Sequence, residues 1–499
     1  MAYLGAMHLR ALALSGFVLV SACAELPEGT VLDGPGVGGS SMAPRGGSGG
    51  TPAAAAGGQS GSGGTGVAGK AGAAGGGASA GGASGAGAGG ASAGSGGISG
   101  MAGSAGAAGA GGMAGAGGMM PVYMPGPPYT FPQGYRSQHC TYPTGADPMK
   151  AKAAYDRWKT ELVTQDGAGE NLRVRRPNNE GDTTVSEGIA YGMIFSVVFG
   201  DQDQFDRLWK YSQERLNGNG LMDWKVDSSG NVPMDGHGAA TDADEDMAWA
   251  LILADKKWGG SGSLGKPYID VAKDQIGKIW NHEVDHGRGD LLLAGDSWGT
   301  VTAVNPSYFA PNQYRRFAQV TGEMGWLRVI DRTYELLFAS LTAEAGNQNN
   351  GLSPAWTDPE GRPMAPFDGA PTHYQYDSAR IPFRIAQDYC DFGEPRAKEY
   401  LQKTNSFFAG IGASMIVDGY DLNGAARGEH ALPEQSALFV GAAGVGAMSD
   451  AAQLPFLDET YQLLVTKEML VPSYYYNMCW HVFSLLMMSG NLYDYTLVP

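Results

Sequence analysis

Cysteine and basic residues are both scarce in this chain. Its 499 residues include only 4 cysteines, and 33 lysines and arginines stand against 50 aspartates and glutamates, which gives a formal net charge of −17. Proteins that bind nucleic acid need a basic surface, so we expect no nucleic-acid partner. No cysteine has the CxxC or Cys/His spacing of a zinc site and the 8 histidines form no metal constellation, so we expect no metal and no cofactor. Cys140, Cys390 and Cys479 allow at most one disulfide, whose pairing the sequence leaves open.

Long hydrophobic runs are also missing. The apolar run at 11–20 is too short to span a bilayer and has the length of a signal-peptide core. It is followed by Ser21-Ala22-Cys23, which resembles a bacterial lipobox, a signal whose cysteine is lipidated and becomes the mature N-terminus. We therefore predict a lipoprotein-type signal peptide at 1–23 with lipidation at Cys23, and an ordinary cleaved signal peptide is the alternative. The protein would then be secreted, and its N-terminal lipid would be its only contact with the outer membrane or cell surface.

Charged and aromatic residues nearly vanish at 34–118, where glycine, alanine and serine dominate. Such a segment cannot bury enough apolar surface to offset its backbone entropy, so we predict a disordered linker with outer bounds 24–126. Such a linker is suited to tether a folded domain. A low-complexity sequence without a selected function is the alternative interpretation, because it would have the same composition. The composition after this segment is that of a globular protein and predicts one folded domain at 127–499, which we expect to be a monomer.

Strand-like alternation is scarce in the predicted domain, and helical periodicity takes its place. Apolar spacing and helix breakers predict twelve helices. Their predicted bounds are 147–164, 186–199, 203–216, 243–257, 267–282, 312–322, 326–344, 378–391, 395–411, 433–447, 450–466 and 474–489.

Polar and aromatic residues gather at the starts of most even-numbered helices in this series. Glu187 opens the second, Asp242 the fourth and Asp377 the eighth, while Tyr308 precedes the sixth and three tyrosines at 474–476 open the twelfth. The odd-numbered helices begin without such residues. Six helical hairpins can close into a double barrel whose inner helices run parallel, so that their N-termini open on one face. We therefore predict an all-α (α/α)6 barrel with these acids and aromatics along one cleft.

The residues around these acids resemble a known family. The stretch ATDADEDMAWALILADKKW at 240–258 closely resembles the signature of glycoside hydrolase family 8. The segment SEGIAYGM at 186–193 looks like the one that carries the family's general acid. NPSYFAP at 305–311 and YDSARIP at 376–382 are similar to further family segments, in the right order. The resemblance covers the chain from about residue 135 onward and implies an (α/α)6 barrel that hydrolyses a β-1,4-linked polysaccharide with inversion.

Glycoside hydrolysis needs one protonated carboxyl to donate to the leaving oxygen and one ionised carboxyl to activate water. The resemblance implies that Glu187 is the acid, that Asp377 is the base and that Asp242 binds and distorts the central sugar. Each of these acids could instead cap its helix. A helix N-terminus favours a carboxylate, which suits Asp377, so burial or a nearby carboxylate must favour the proton on Glu187. Arg380, one turn after Asp377, is expected to hold that base ionised.

Aromatic side chains complete the predicted site, because sugar rings stack on flat side chains. One of the three tyrosines at 474–476 is expected to reach the cleft, and Trp258 is expected to belong to the core. The predicted substrate-binding residues are Trp224, Trp298, Tyr308, Tyr376 and Arg380.

The predicted activity is endo-acting hydrolysis of a β-glucan such as cellulose or mixed-linkage glucan. Xylan is the main alternative substrate, since it differs from glucan by the C6 hydroxymethyl group. A chitosanase is less favoured, because the base of that branch resembles a Glu at a different place from Asp377. A surface lipoprotein that binds glycans without cutting them is the alternative outside the enzymes, and the presence of both Glu187 and Asp377 argues against it.

Overall fold

The computed structural model contains thirteen α-helices and three two-stranded sheets within the part of the chain that it describes. The described residues are 129–132, 134–297, 303–367, 369–427, 435–471 and 473–497. The predicted signal peptide at 1–23, with its lipidation site Cys23, and the predicted linker at 24–126 lie outside them. Within the described ranges, no helix combines the length and the apolar character that crossing a membrane requires.

The helices follow the predicted order. The first seven are α1 (Pro148–Leu162), α2 (Ser186–Phe199), α3 (Gln202–Gln213), α4 (Thr241–Trp258), α5 (Tyr268–His282), α6 (Pro311–Thr321) and α7 (Gly325–Ala339). The others are α8 (Tyr376–Ala379), α9 (Ile381–Phe392), α10 (Pro395–Ile411), α11 (Ala437–Ala447), α12 (Leu454–Thr466) and α13 (Tyr474–Met488). Helices α8 and α9 together occupy the place of the eighth predicted helix, and they are separate because Pro382 has no N–H to donate to the carbonyl of Ser378.

Six helices, α2, α4, α6, α9, α11 and α13, form an inner ring and pack side by side in that order. Five outer helices each pack against the inner helix that precedes them in the chain, and α1 packs against α13. Almost every residue of α2, α4, α11 and α13 is buried, as expected for a helix whose whole circumference is covered. The predicted all-α (α/α)6 barrel is confirmed.

Small residues allow α11 to lie close to two neighbouring helices. A Cβ atom at Gly441 would collide with the hydroxyl of Ser484 on α13, and one at Gly444 would collide with Thr460 on α12. These two glycines therefore fix the distance at which the last three helices pack.

Aromatic side chains fill the remaining space between helices. Phe195 on α2 and Phe483 on α13 lie 4.6 Å apart between ring centroids and help to close the inner ring. Trp258, the predicted core residue at the end of α4, is partly buried and packs edge-on against Phe205 at 5.5 Å. Such contacts stabilise the barrel beyond the area they bury.

The strands are short and lie in the loops between helices. They are β1 (Val163–Thr164) with β2 (Arg173–Val174), β3 (Thr184–Val185) with β4 (Lys225–Val226), and β5 (Val284–Asp285) with β6 (Leu291–Leu292), each pair antiparallel. Strand β3 runs directly into α2, and Val185 pairs with Lys225. This pairing places the loop before β4 beside the N-terminus of α2.

The segment from Tyr129 onward crosses the end of the barrel where the inner helices finish. Tyr129 stacks on Tyr495 at 4.5 Å, and the ammonium of Lys257, near the end of α4, lies 5.1 Å from the centroid of the Tyr129 ring. Phe131 contacts Phe199, the last residue of α2, at 4.7 Å. The segment is therefore remote from the N-termini of the inner helices.

A disulfide joins this segment to the end of α9. Cys140 pairs with Cys390 across 250 residues of sequence, which settles the pairing that the sequence left open. The hydroxyl of Ser137 also donates to the carbonyl oxygen of Cys390. Cys479 is a free, buried thiol that accepts a hydrogen bond from the Trp158 indole at 3.2 Å.

Candidate active site

Three acids occupy equivalent places in the first turns of three helices. Glu187, Asp242 and Asp377 are each the second residue of their helix, in α2, α4 and α8, and each is about 1 % exposed. The positions that cap these helices belong to other residues, namely Val185, Ala240 and Gln375. The interpretation of these acids as N-caps is therefore wrong. The carboxyls lie inside the first turns, at the end of the barrel where the inner helices begin.

Backbone pairing explains where Glu187 sits. The N–H of Ser186 donates to the carbonyl oxygen of Trp224 at 2.9 Å, so β4 and α2 begin side by side. The indole of Trp224 donates to the carbonyl of Asp235 at 2.9 Å, and its ring is 8 % exposed. The predicted aromatic residue Trp224 is therefore fixed next to the helix that carries Glu187.

Arg380, at the junction of α8 and α9, connects the first turn of α4 with the segment that precedes α6. Its guanidinium is ion-paired with Asp242 and donates two hydrogen bonds to the Ser307 hydroxyl, at 2.7 and 3.0 Å. Its distance to the nearer Asp377 oxygen is 3.9 Å. The shortest ionic contact of Arg380 is thus with Asp242, whereas the sequence predicted a partnership with Asp377.

Burial dominates the protonation of Asp242. It raises the pKa of this carboxyl, while the positive charges of Arg380 and Arg384 oppose the rise. Arg384 is itself bound through two 2.6 Å hydrogen bonds to Asp246, one helical turn further along α4. The two arginines therefore stabilise a column of buried acids on α4.

Asp377 has polar neighbours on both sides in the chain. One of its oxygens accepts a hydrogen bond from the Gln375 amide at 3.0 Å. The hydroxyl of Tyr376, a predicted substrate-binding residue, donates to Asp418 at 3.2 Å. The sequence did not predict Asp418, because it lies in a loop between α10 and α11 that has no matching motif.

Tyr476 lies among the three acids. Burial raises its pKa well above the ordinary range, the charge of Arg380 lowers it, and the carboxyls of Asp377, Asp242 and Glu187 raise it further. One phenol is therefore within electrostatic reach of all three carboxyls and of the guanidinium. The charges of the three acids act on this side chain from the first turns of α2, α4 and α8.

The other two tyrosines of α13 have different surroundings. Tyr474 points outward and bonds with Arg157 and Glu161 on α1. Tyr475 is buried against α2, where its hydroxyl lies 3.0 Å from the position that a Cβ atom at Gly188 would occupy. Of the three tyrosines, Tyr476 is the one on which the charges of all three acids act.

Two predicted aromatic residues remain, Tyr308 and Trp298. Tyr308 is 2 % exposed, and the Arg380 guanidinium lies 4.9 Å from its ring centroid. Its ring also meets Trp356 edge-on at 6.4 Å. Trp298 lies outside the described residues.

Within the described ranges, no group of three or more histidines, cysteines or acids is arranged to hold a metal ion.

The buried carboxyls and the aromatic side chains lie together at one end of a double helical barrel. These features define the class of this protein, which is a glycoside hydrolase. The model of the family described as glycosyl hydrolases family 8 matches residues 136–490, and the chain belongs to that family.

Similar curated proteins carry the name endoglucanase. Endoglucanase A of Acetivibrio thermocellus is 39% identical over 342 residues, which cover 68% of this chain and 69% of that protein. Endoglucanase C of Ruminiclostridium cellulolyticum is 40% identical over 299 residues, which cover 60% of this chain and 62% of that protein. The chain thus spans about two thirds of the length of these relatives.

Solved structures agree with the barrel. The apo β-1,3-1,4-glucanase from Paenibacillus sp. X4 is 31% identical, with a TM-score of 0.66 over 73% of this chain and 99% of that one. The xylose complex of Rex8A from Paenibacillus barcinonensis is 21% identical, with a TM-score of 0.59 over 69% of this chain and 92% of that one, and supports the fold alone.

Proposed function

We propose that this hydrolase cuts β-1,4-linked glucan chains internally and with inversion, with Glu187 as general acid and Asp377 as general base. The observation that carries the proposal is that both carboxyls, with Asp242, are buried in the first turns of their helices at one end of the barrel, where the charges of all three act on Tyr476. Hydrolysis of a glycosidic bond requires two carboxyls with opposite duties on one sugar.

The surroundings of Glu187 suit a proton donor. It is almost completely buried at the start of α2, a helix whose residues are buried all round its circumference. Removing a carboxyl from water disfavours its charged form. A bound sugar would strengthen this effect because it excludes the remaining solvent.

The surroundings of Asp377 suit a base. The Gln375 amide donates to it, and the Arg380 guanidinium stands 3.9 Å away. Both groups lie beside this carboxyl at the start of α8 and hold it in a fixed orientation. In an inverting enzyme a water molecule fits between the sugar and this base, so the acid and base carboxyls are expected to stand roughly 6.5–9.5 Å apart.

Asp242 is assigned to the sugar at the cleavage point. One of its oxygens is ion-paired with Arg380, and the other has no hydrogen-bond partner among the described residues. A buried oxygen of this kind is available to a sugar hydroxyl. Arg380 then acts by fixing the orientation of Asp242, in addition to its predicted contact with substrate.

The preference for glucan rests on the relatives. Two curated relatives near 40% identity are named endoglucanases, and the structure at 31% identity is a β-1,3-1,4-glucanase. The xylan-related Rex8A is more distant, at 28% identity over 62% of this chain. Xylan is therefore a less supported substrate than β-glucan, and none of these relatives is named for chitosan.

We also propose that the protein is exported and carries a lipid on Cys23. The lipobox-like sequence before Cys23 supports this. The disulfide between Cys140 and Cys390 supports an oxidising compartment, since such bonds are rare in the cytosol. The Gly/Ala/Ser-rich segment at 24–126 would then separate the lipid from the barrel.

The test is a parallel assay of the purified protein on carboxymethylcellulose, lichenan, xylan and chitosan. Reducing ends and viscosity are followed together, because internal cleavage lowers viscosity early. We expect the highest kcat/KM on a β-glucan. Preferential hydrolysis of xylan or chitosan, or a slow viscosity loss with normal release of reducing ends, would contradict the proposal.

A further inference from the structure

Two further acids lie behind the proposed active site and are fully buried. Asp244 follows Asp242 by two residues on α4, so its side chain points toward the outer helix α5, where the Gln275 amide donates to one of its oxygens at 2.8 Å. Glu283 directly follows α5. Both side chains are 0% exposed, so neither carboxyl reaches water.

Oδ2 of Asp244 has no hydrogen-bond partner in the described part of the chain. The Thr241 hydroxyl faces the Glu283 carboxyl and is a donor to it, but one hydroxyl cannot satisfy both oxygens, so one oxygen of Glu283 also lacks a donor. Buried polar atoms normally have a partner, and two ionised carboxylates without one would be strongly disfavoured. A proton on one of them would supply the missing donor.

The charged groups around the pair favour that proton. Burial raises the pKa of Glu283 well above its ordinary range, and the negative charges of Asp244 and Asp296 raise it further. Burial and Asp296 likewise raise the pKa of Asp244. The groups that face the pair are Asp242, Glu245 and the Thr241 hydroxyl on α4, Asp296 in the loop after β6, and Lys278 on α5. The single positive charge of Lys278 does not neutralise the negative charges of these acids.

Asp296 connects this pair to the loops beside the cleft through hydrogen bonds. One oxygen of Asp296 accepts from the N–H of Ala239 at 2.8 Å, and the other accepts from the amides of Asn217 and Asn219 at 2.7 and 2.9 Å. These donors precede α4 and β4, so Asp296 joins the start of the Asp242 helix to the turn that leads to Trp224. Three hydrogen-bond donors therefore hold this one carboxyl in place.

The same loop is also fastened by its backbone. The N–H of Leu293 donates to the carbonyl of Glu283 at 2.9 Å, and the N–H of Thr241 donates to the carbonyl of Ala294 at 3.3 Å. The position of residues 293–296 therefore depends directly on the region that holds Asp244 and Glu283.

We propose that Asp244 and Glu283 share one proton and that this proton holds the loop bearing Asp296, and through it the substrate-binding side of the cleft, in place. The two acids are positioning residues that act through Asp296. When the proton leaves to solvent, the pair carries two negative charges beside Asp296, and their repulsion displaces the loop. The effect on substrate rests on the proposed function, whereas the shared proton does not.

The first test follows melting temperature against pH for the wild type, Glu283→Gln and the exposed control Glu344→Gln. The folded pair binds its proton more tightly than the unfolded chain does, so its contribution to stability is complete at acidic pH and is lost as pH rises toward the folded pKa. Glu283→Gln keeps a neutral donor and loses this dependence. The Tm of Glu283→Gln minus that of the wild type should therefore rise by roughly 2–5 °C between pH 5 and about pH 8.

Parallel curves for the wild type and Glu283→Gln would overturn the proposal. Asp244→Asn is the second variant and should give the same trend. Failure of both neutral variants to fold at any pH also counts against it, because a pair that already holds a proton should tolerate an amide. A rise in wild-type Tm on adding millimolar CaCl2, absent in Glu283→Gln, would overturn it as well, since the oxygens would then be cation ligands.

The second test measures KM and kcat on soluble β-glucan across the same pH range. Wild-type KM should rise at alkaline pH by about threefold or more, while that of Glu283→Gln stays flat, and the two kcat profiles should coincide. Equal KM profiles would remove the link to the cleft. If the wild type cleaves no glycan, the proposed function fails, but the melting curves still decide whether the proton is shared.

Discussion

Asp242 and Arg380 form a buried ion pair between two inner helices, although 138 residues separate them in the chain. Each side chain is 1 % exposed. Removing one partner of such a pair leaves an uncompensated charge in the core, so this contact links the stability of the barrel to the geometry of its site.

Replacing Arg380 with alanine should lower the free energy of unfolding by about 3–5 kcal/mol, because Asp242 would remain buried without its partner. Combining Arg380→Ala with Asp242→Asn should recover part of that loss. Urea denaturation of the two single variants and the double variant measures the coupling. Strictly additive effects would show that the pair contributes nothing of its own.

Glu187→Gln should lower kcat on β-glucan by roughly 10²–10⁴-fold, because the amide cannot donate a proton to the leaving oxygen. The Tm should change little, since the two side chains have the same shape. Glu344→Gln, on the surface, is the matched control and should be fully active. A folded Glu187→Gln protein with near-normal activity would remove Glu187 from the role of acid.

Asp377→Asn should abolish turnover and still bind cello-oligosaccharide, because Trp224, Tyr308 and Tyr376 are unchanged. Calorimetry measures the binding, and proton NMR of the wild-type reaction should detect the α-anomer as first product before mutarotation. A first product of β configuration would instead require a retaining mechanism, with the two carboxyls about 5–5.5 Å apart.

Removing the disulfide with Cys140→Ser and Cys390→Ser should destabilise the protein by about 2–4 kcal/mol, because the bond closes a long loop. Thermal denaturation with and without reductant measures the effect. Reductant should lower the Tm of the wild type and leave that of the double variant unchanged. Equal stability of the two proteins under oxidising conditions would mean that the bond adds nothing to folding.

Cys23→Ser should block lipid attachment in the native host and move the protein out of the detergent-soluble membrane fraction. Mass spectrometry of the N-terminal peptide measures the modification directly. An unmodified mature N-terminus in the wild type would contradict the lipoprotein proposal. The glucanase activity of the variant should equal that of the wild type, because Cys23 lies far from the barrel in sequence.

Local patterns predicted the helices well. Helix α2 has the predicted bounds, 186–199, because its apolar run ends at Gly200, whose φ of 84° suits a glycine. The eighth helix was less accurate. It begins two residues before the predicted start, at Tyr376, so Asp377 lies inside the first turn, and the break before Pro382 was not predicted.

Long-range contacts could not be predicted in the same way. The partnership of Arg380 with Asp242 depends on how two distant helices meet, and spacing along the chain favoured Asp377 instead. Glu283 lies at the end of an outer helix, outside every motif, and its burial follows only from the packing of α5 on α4. The sequence therefore predicted the acids at the helix starts, together with Arg380 and the aromatic residues, and missed Asp418, Glu283 and the pairing of Arg380 with Asp242.

Tyr129 and Tyr495 stack at 4.5 Å, so the two ends of the described barrel meet on one side of the molecule. Lys257, which also touches Tyr129, is fifteen residues beyond Asp242 on α4, or roughly 22 Å along the helix axis at 1.5 Å per residue. A solid support or fusion partner attached at either of these ends would therefore lie at the barrel end opposite the carboxyls and leave the carboxyl-bearing end open. The same proximity makes the fold suited to circular permutation, since a short peptide could join the ends while new ones are cut in a surface loop.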